Sequence, residues 1–321
     1  MKQLFRISLV LFAAAVIIGC GQRKATSEKN PDKTQNSIYH WKTVFEIDST
    51  EIAFLQEQEI ERIYLRMFDV ATEPDFLNGI TDIVPIATTR FASPIPNDVE
   101  IVPVVYITIE ALRAMNGRET EIATLIVERL LAMSSYNECG KIREIQFDCD
   151  WTASTKELYN KLCRAARDML QSKGIELSIT VRLHQLKETP PPADRGVLML
   201  YNTGALKNPD TNNSILDIYD VKSYICKRGY AIPLDYAYPA FGWGVKFNND
   251  KFVSIVSYEE NKVSDKEHIR YERPSVQVIL EVKELVEENL GKPQRGNILY
   301  HLDNSQLKYY NNDEISQILS F

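Results

Sequence analysis

The chain has 321 residues, of which 44% are hydrophobic and 25% are charged. These are ordinary values for a globular protein, and they exclude a collagen-like, coiled-coil or wholly disordered chain. Lysine and arginine total 37 against 44 aspartate and glutamate, which gives a formal net charge of −7. An acidic chain without a basic stripe does not fit nucleic acid as its main partner.

The N-terminus is typical of a targeting signal. Lys2 and Arg6 precede an apolar run over residues 7–18, which is too short to favour a membrane-spanning helix. The run ends in Gly19 and Cys20, a small residue directly before a cysteine. This ending resembles a bacterial lipobox, in which the signal is removed before a cysteine that is then acylated. We therefore predict a signal peptide over 1–19 and a lipid anchor at Cys20. An ordinary signal peptide is the alternative.

Residues 20–37 are predicted to form the lipidated cysteine and a flexible tether. The stretch after Cys20 is polar and has no large apolar side chain to bury, so it cannot offset the entropy of ordering. Gly21, rather than Asp, follows Cys20, so nothing signals retention at an inner membrane. We expect a lipid-anchored envelope protein at the outer membrane, on its periplasmic or its surface face.

From residue 38 to residue 321, short apolar runs alternate with helical periodicity. This rhythm predicts one α/β domain, a (β/α)8 TIM barrel. An open doubly wound sheet is the alternative, but no Gly-x-Gly-x-x-Gly turn supports it. Residues 242–273 are too long for an ordinary loop and predict an inserted β-hairpin subdomain after strand 7, pairing 251–258 with 268–272. The predicted strands are 41–47, 62–68, 101–107, 144–150, 176–183, 196–201, 231–236 and 297–302, and the predicted helices are 50–58, 119–133, 155–173, 214–227, 276–290 and 313–319.

The fourth predicted strand carries the candidate catalytic residues, Asp148 and Asp150. Their period-2 spacing puts them on one face, opposite an apolar face that must contact the helices. They should therefore point into the barrel near its C-terminal mouth, where the active sites of barrels lie. Mutual repulsion would raise the pKa of one carboxyl, as acid/base catalysis requires. The alternative is a structural polar cluster in which they pair with Arg66 or Arg182.

The ends of the other predicted strands add further carboxylates and aromatic rings. This combination suits a sugar, because C–H faces stack on rings while hydroxyls bond to acids and amides. An oligo- or polysaccharide is therefore the predicted partner. The predicted substrate-binding residues are Asp69, Arg66, Arg182, His184, Tyr201, Asn202, Asp235, Tyr236, Tyr238, Trp243 and Asp303.

We predict no metal centre and no cofactor. The remaining cysteines form no Cys-x-x-Cys motif, and the four histidines have no HExxH spacing. A divalent ion on Asp148 and Asp150 is a minor alternative. Buried free thiols are expected, with a bridge between Cys149 and Cys163 as the alternative; the four candidates are Cys139, Cys149, Cys163 and Cys226.

Residues 147–151, Phe-Asp-Cys-Asp-Trp, resemble the fourth-strand motif Asp-x-x-Asp-x-Asp-x-Glu of family 18 glycoside hydrolases, the chitinase-like barrels. Asp148 and Asp150 match its second and third acids. Thr152 stands where the family has its proton-donating Glu, and Ile145 stands where it has the first Asp.

A second short motif and the domain as a whole carry the same resemblance. Met-Leu-Tyr-Asn at 199–202 is similar to the Met-x-Tyr-Asp of the sixth strand in that clan. The domain over about 40–320 also resembles a group of Bacteroidetes lipoproteins with glycoside-hydrolase-like barrels.

Three functions remain open from the sequence. In the first, a glycoside hydrolase, one of Asp148 and Asp150 is the acid, and Asp69, Asp235 or Asp303 is the base or nucleophile across the mouth. The second is a non-catalytic, lectin-like barrel, which the loss of Glu at Thr152 favours. The third is a scaffold lipoprotein of an envelope complex, which predicts an exposed apolar patch outside the mouth. The oligomeric state is left open.

Overall fold

The structure is a computed structural model that describes residues 34–75, 80–225, 229–261, 263–264 and 266–321. The predicted signal peptide, Cys20, most of the predicted tether and Cys226 lie outside the described residues. Within the described ranges, no helix is long and apolar enough to cross a membrane.

The described chain alternates strands and helices along most of its length. Its strands are β1 Asn36–His40, β2 Val44–Phe45, β3 Ile60–Asp75, β4 Ile80–Ile86, β5 Arg90–Phe91, β6 Glu100–Ile107, β7 Glu144–Asp148, β8 Glu176–Val181, β9 Arg195–Met199, β10 Leu234–Pro239, β11 Trp243–Asn248, β12 Lys251–Val256, β13 Glu267–Glu272 and β14 Asn297–Tyr300. Its helices are α1 Ser49–Glu57, α2 Ile109–Ala114, α3 Glu119–Tyr136, α4 Lys156–Gln171, α5 Ile218–Tyr224, α6 Val276–Leu290, α7 Asn304–Leu307 and α8 Asn312–Leu319, with a 3-10 helix at Leu183–Lys187.

Eight parallel strands close into a barrel. Their order around the barrel is β1, β14, β10, β9, β8, β7, β6 and β3, and β3 pairs back with β1. The predicted (β/α)8 barrel is therefore confirmed. Because the strands are parallel, their C-terminal ends all open at one mouth, and their N-terminal ends form the opposite floor.

The first barrel strand lies earlier than predicted. Asn36–His40 forms β1 and takes the last two residues of the predicted tether, whereas the predicted strand 41–47 follows it and contains only the short β2. The polar residue that begins β1 has a hydrogen-bond partner in the folded chain, since the Asn36 side chain donates to the Gln58 carbonyl over 2.8 Å. A polar start of this kind cannot be distinguished from a tether by composition.

Several strands and one helix begin or end at other residues than predicted. The strand predicted over 176–183 ends at Val181, and residues 183–187 turn into the 3-10 helix. The strand predicted over 231–236 runs instead from Leu234 to Pro239, a shift of three residues. The helix predicted over 214–227 is shorter in the described chain, Ile218–Tyr224.

The insertion after the seventh barrel strand is a three-stranded antiparallel sheet. The two strands of the predicted hairpin, β12 and β13, do not pair with each other, because β11 lies between them. The central strand begins at Trp243, a short loop after β10 ends at Pro239.

A second departure from a plain barrel is the length of β3. Its outer part, Asp69–Asp75, pairs antiparallel with β4, and from Ala71 onward it extends past its last parallel partner in β6, Ile107. Asp69 therefore lies within a strand, and not just past its end as predicted.

The core has an outer and an inner part. The outer part lies between strands and helices and includes Ile145, Phe147 and Trp151, as the alternation of the fourth strand predicts. The inner part lies inside the barrel and includes the fully buried rings of Tyr39 and Tyr64. The described cysteines, Cys139, Cys149 and Cys163, are buried free thiols, so the bridge between Cys149 and Cys163 is absent.

Candidate functional site

A cavity of about 260 Å³ opens at the barrel mouth, beside the ends of β7, β8 and β9. It combines polar, charged and aromatic side chains from the loops that follow these strands. Its lining residues are Asp150, Arg182, Leu183, His184, Met199, Tyr201, Asn202, Thr203 and Tyr224.

Arg182 joins the two candidate catalytic carboxylates. Its Nη2 donates to Asp148 Oδ1 over 3.1 Å, and its Nε donates to Asp150 Oδ1. The Thr180 hydroxyl also donates to Asp148, over 2.5 Å. The structure therefore has the pairing that the sequence left as an alternative, with Arg182 and not Arg66 as the partner.

The two carboxylates differ in their access to solvent. Asp148 ends β7 and is 2% exposed, and it is not among the cavity-lining residues. The Asp150 side chain is 45% exposed and faces the cavity. A ligand entering the cavity would meet Asp150 and Arg182, with Asp148 behind them.

Burial controls the protonation of the residues around Asp148. Burial raises the pKa of the Asp148 carboxyl; Arg182 opposes this, whereas the charge of Asp150 adds to it. Tyr106, which is paired in register with Asp148, has its pKa raised to about 12 by burial and then by the Asp150 and Asp148 charges.

Aromatic side chains form a continuous group at the mouth. Tyr201 packs against Tyr300 with ring centroids 4.4 Å apart, and Phe241 contacts both rings. Trp243 extends the group through Phe241, at 5.3 Å, and Trp41 extends it through Tyr300, at 5.9 Å. Trp41, Trp243 and Tyr300 are partly exposed and can offer ring surface to a ligand.

Arg66 and Asp69 form a second ion pair near the mouth. Arg66 Nε donates to Asp69 Oδ1 over 2.8 Å, and the guanidinium lies 5.7 Å from the Trp41 ring centroid. Neither residue lines the cavity, but the Asp69 charge is close enough to affect the pKa of Asp148.

Two predicted carboxylates lie away from the cavity. Asp235 is the second residue of β10, so it lies at the barrel floor, where it accepts from the backbone N–H of Arg295 over 2.6 Å. Asp303 accepts from Ser305 N at the start of α7 and lies 3.7 Å from Lys42. Neither can act as a base or nucleophile across the cavity from Asp150.

Tyr236 and Tyr238 were also predicted at the mouth, and this was wrong. Both belong to the outer core between strands and helices. The Tyr236 hydroxyl donates to the carbonyl of Gly291 at the end of α6, over 2.6 Å. Alternation along β10 accounts for the error: Tyr236 and Tyr238 share the face that packs against the helices, whereas Ala237 between them faces the barrel interior.

The other predicted residues lie at or near the cavity. His184 and Asn202 line it, although His184 is exposed on the 3-10 helix rather than inward on a strand. Asn202 adopts a left-handed backbone conformation, with φ of 56°. Thr152, at the position of the family's proton donor, is exposed, and its hydroxyl lies 3.0 Å from that of Ser154.

Sequence reasoning missed several residues of the site, among them Trp41, Tyr300, Thr203 and Tyr224. Trp41 directly follows β1, and Tyr300 is the last residue of β14. A correct prediction of the first strand would therefore have placed Trp41 at the mouth. Thr203 and Tyr224 come from the long segment after β9, and no local pattern marks them as cavity-lining.

Comparison with known proteins establishes the fold. No protein-family model and no curated protein sequence matches this chain. The chain resembles the spore cortex-lytic enzyme SleL of Bacillus megaterium QM B1551, at 14% identity over 91% of this chain and 76% of that one, with a TM-score of 0.56. It resembles a chitinase from Chromobacterium violaceum ATCC 12472, at 13% identity over 89% and 98% of the two chains, with a TM-score of 0.53. It also resembles the Group IV chitinase of Ostrinia furnacalis, at 10% identity, with the same coverages and a TM-score of 0.52. The barrel is thus of the kind found in chitinase-like enzymes, and fold alone does not assign activity.

Proposed function

We propose that this barrel binds a glycan at its mouth without hydrolysing it. The observation that carries this proposal is that Arg182 bonds both Asp148 and Asp150. A glycosidase needs one carboxyl as proton donor and a second as base or nucleophile on the other side of the scissile bond. Here Asp148 and Asp150 share one cation, and only Asp150 lines the cavity.

The position of the proton donor supports the same conclusion. Family 18 enzymes, which the fourth strand resembles, have Glu where this chain has Thr152. A threonine hydroxyl cannot supply a proton at neutral pH as a carboxylic acid does. Asp148 is buried behind Arg182. The other predicted acids, Asp69, Asp235 and Asp303, do not line the cavity, and Asp69 is paired with Arg66.

The remaining side chains of the mouth suit a sugar. The partly exposed rings of Trp41, Trp243 and Tyr300 offer faces for the C–H surface of a pyranose. Asp150 and Asn202 offer acceptors and an amide for its hydroxyls. The structural neighbours include a chitinase solved with allosamidin, at 10% identity and a TM-score of 0.52, which makes an amino-sugar oligomer a sensible first probe.

Hydrolysis is the second candidate, and one observation favours it. Burial raises the pKa of Asp148, so its carboxyl retains a proton to higher pH than an exposed aspartate does. A ligand that drew Arg182 away from Asp148 would then expose a protonated acid.

One experiment distinguishes the two candidates. Calorimetry would measure binding of the tetramer of N-acetylglucosamine, of peptidoglycan fragments and of cellotetraose, while a reducing-end assay would measure hydrolysis. We expect saturable binding without turnover, with weaker binding by Asp150→Asn and unchanged binding by Tyr236→Phe, whose hydroxyl faces α6. Turnover that Asp148→Asn or Asp150→Asn abolishes would instead establish a hydrolase. Absence of both binding and turnover would favour a scaffold.

We also propose that the barrel is held at the cell envelope by acyl chains on Cys20. The apolar run and small residue before Cys20 support this assignment. Metabolic labelling with a palmitate analogue tests it, and the expected result is incorporation that Cys20→Ser abolishes. Fractionation of labelled cells would test the outer-membrane assignment.

A further inference from the structure

Glu272 is a buried carboxylate at the end of β13, in the inserted sheet, and it does not line the cavity. It is 1% exposed and accepts three hydrogen bonds from side chains. Trp243 Nε1 donates over 2.8 Å, the Ser214 hydroxyl over 2.5 Å and Arg270 Nε over 2.6 Å. A buried carboxylate is tolerated only when such bonds replace water, so these three donors are held firmly in place.

The first donor connects Glu272 to the mouth. Trp243 lies directly opposite Glu272 across the β11–β13 pair and is partly exposed. Its ring packs against Phe241, which contacts Tyr201 of the cavity wall at 5.9 Å. The orientation of the indole ring is therefore set by Phe241 on one side and by the Glu272 carboxylate at its N–H.

The other two donors connect Glu272 to the segment that follows β9. Ser214 lies in that segment, and Arg270 donates to its Leu206 and Asn208 carbonyls over 3.0 and 2.6 Å. The same segment begins with Asn202 and Thr203, which line the cavity. One buried carboxylate thus holds the inserted sheet, an aromatic ring of the mouth and the cavity wall together.

We propose that Glu272 is a positioning residue for glycan binding, which fixes the Trp243 indole in the plane that a sugar ring stacks on. This inference rests on the proposed glycan binding. An indole without its acceptor must be ordered when the sugar arrives, and that ordering weakens affinity. Glu272 acts through Trp243 and does not contact the sugar.

The test uses the full chain in detergent and the N-acetylglucosamine tetramer as probe. The chain has three tryptophans, so its indole N–H spectrum shows three signals, and Trp243→Phe identifies one of them. We expect Glu272→Gln to move that signal while the Trp41 and Trp151 signals stay in place. We expect the same variant to weaken tetramer binding by about tenfold, the usual scale for losing one charge-assisted hydrogen bond.

Two further variants decide the mechanism. Glu267→Gln, on the same strand but paired with Lys246 at 3.0 Å, is the matched control and should leave affinity and the Trp243 signal unchanged. In the Trp243→Phe background, which keeps a ring but has no N–H, Glu272→Gln should cause no further loss of affinity.

Three results would overturn the inference. The first is equal affinity of Glu272→Gln and wild type, and the second is a Trp243 signal that does not move. The third is an equal loss of affinity in the wild-type and Trp243→Phe backgrounds, which would mean that Glu272 acts through the segment after β9. If the wild type itself does not bind the tetramer, both the proposed function and this inference are wrong. If the wild type binds and one of the three results above is found, only the inference is wrong.

Discussion

The barrel interior holds two clusters of arginines and carboxylates, one at each end of its strands. We call Arg62, Glu144, Arg195, Asp235 and Arg295 the floor cluster, and Asp148, Asp150 and Arg182 the mouth cluster. They use the same chemistry, but the floor cluster is closed, with Glu144 at 0% and Asp235 at 1% exposure. In the mouth cluster, the Asp150 side chain is 45% exposed.

This difference in exposure separates structural from functional roles. Arg295 connects the floor charges: its guanidinium donates to Glu144 over 2.7 Å and to Glu176 over 2.8 Å, and its backbone N–H donates to Asp235. A ligand has no access to Glu144 or Asp235. At the mouth, the Asp150 carboxylate is open to solvent, so a sugar hydroxyl can take the place of solvent water at small cost. Charge pairs alone therefore do not identify a site, whereas partial exposure beside a cavity does.

The largest expected effect comes from breaking the floor cluster. Arg295→Met leaves Glu144 and Glu176 without their shared cation, with Glu144 fully buried. Removing one member of a buried ion pair costs about 3–5 kcal/mol of unfolding free energy. Urea unfolding followed by circular dichroism would measure it. A loss below about 1 kcal/mol would contradict a closed floor, because exposed pairs are worth no more than that.

A pH series tests a buried group near the mouth without touching the floor. His40 ends β1, faces the outer core beside Phe45 and is 0% exposed. Burial, together with the charges of Lys42 and His301, lowers its pKa to about 4, against the opposing effect of Asp303. The unfolded chain takes up this proton at about 6.5. Stability contributed by neutral His40 is therefore present above pH 6.5 and is lost as the pH falls toward 4.

The expected loss from His40 over that range is about 3 kcal/mol, from the difference of the two pKa values. His40→Gln should reduce the slope of unfolding free energy against pH between 6.5 and 4, and the part of the slope due to His301, whose pKa burial also lowers to about 4, should remain. His184→Gln is the matched control, since His184 is exposed. An unchanged slope in His40→Gln would show that other groups cause the acid sensitivity.

Breaking the mouth cluster should cost less stability than breaking the floor. Arg182→Met removes the partner of both aspartates, but Asp150 is open to water and only Asp148 is left buried without its cation. We expect a loss of about 1–3 kcal/mol, within the penalty for one buried group without its hydrogen bond. Glycan affinity should fall as well, since Arg182 lines the cavity. A stability loss equal to that of Arg295→Met would remove the distinction between the two clusters.

The smallest effect on stability is expected for Asp150→Asn. Its side chain is 45% exposed, so the exchange should change unfolding free energy by less than about 1 kcal/mol. Binding of the N-acetylglucosamine tetramer should nevertheless weaken several-fold, because the carboxylate faces the cavity. Paired urea unfolding and calorimetry would measure both. A variant that loses stability but keeps its affinity would reverse the role assigned to the mouth cluster.

The sequence by itself determined the architecture and the inward direction of the fourth-strand aspartate at the site. The alternation of strands and helices predicted the (β/α)8 barrel, and the period of two in the fourth strand correctly turned Asp148 inward and Phe147 outward. Both are local properties: backbone geometry alternates side chains along a strand, and a polar face cannot pack against helices.

Only the tertiary structure decided where each residue lies along the barrel axis, between floor and mouth, and what it contacts. The actual β10 begins at Leu234, which moves Asp235 from the predicted strand end to the floor and leaves Tyr236 against α6. The pairing of Arg182 with two aspartates of another strand likewise depends on the register between β7 and β8. Alternation determines which face of a strand a side chain lies on. Its position along the barrel axis and its contact partners depend on hydrogen bonding to neighbouring strands, which are distant in the sequence.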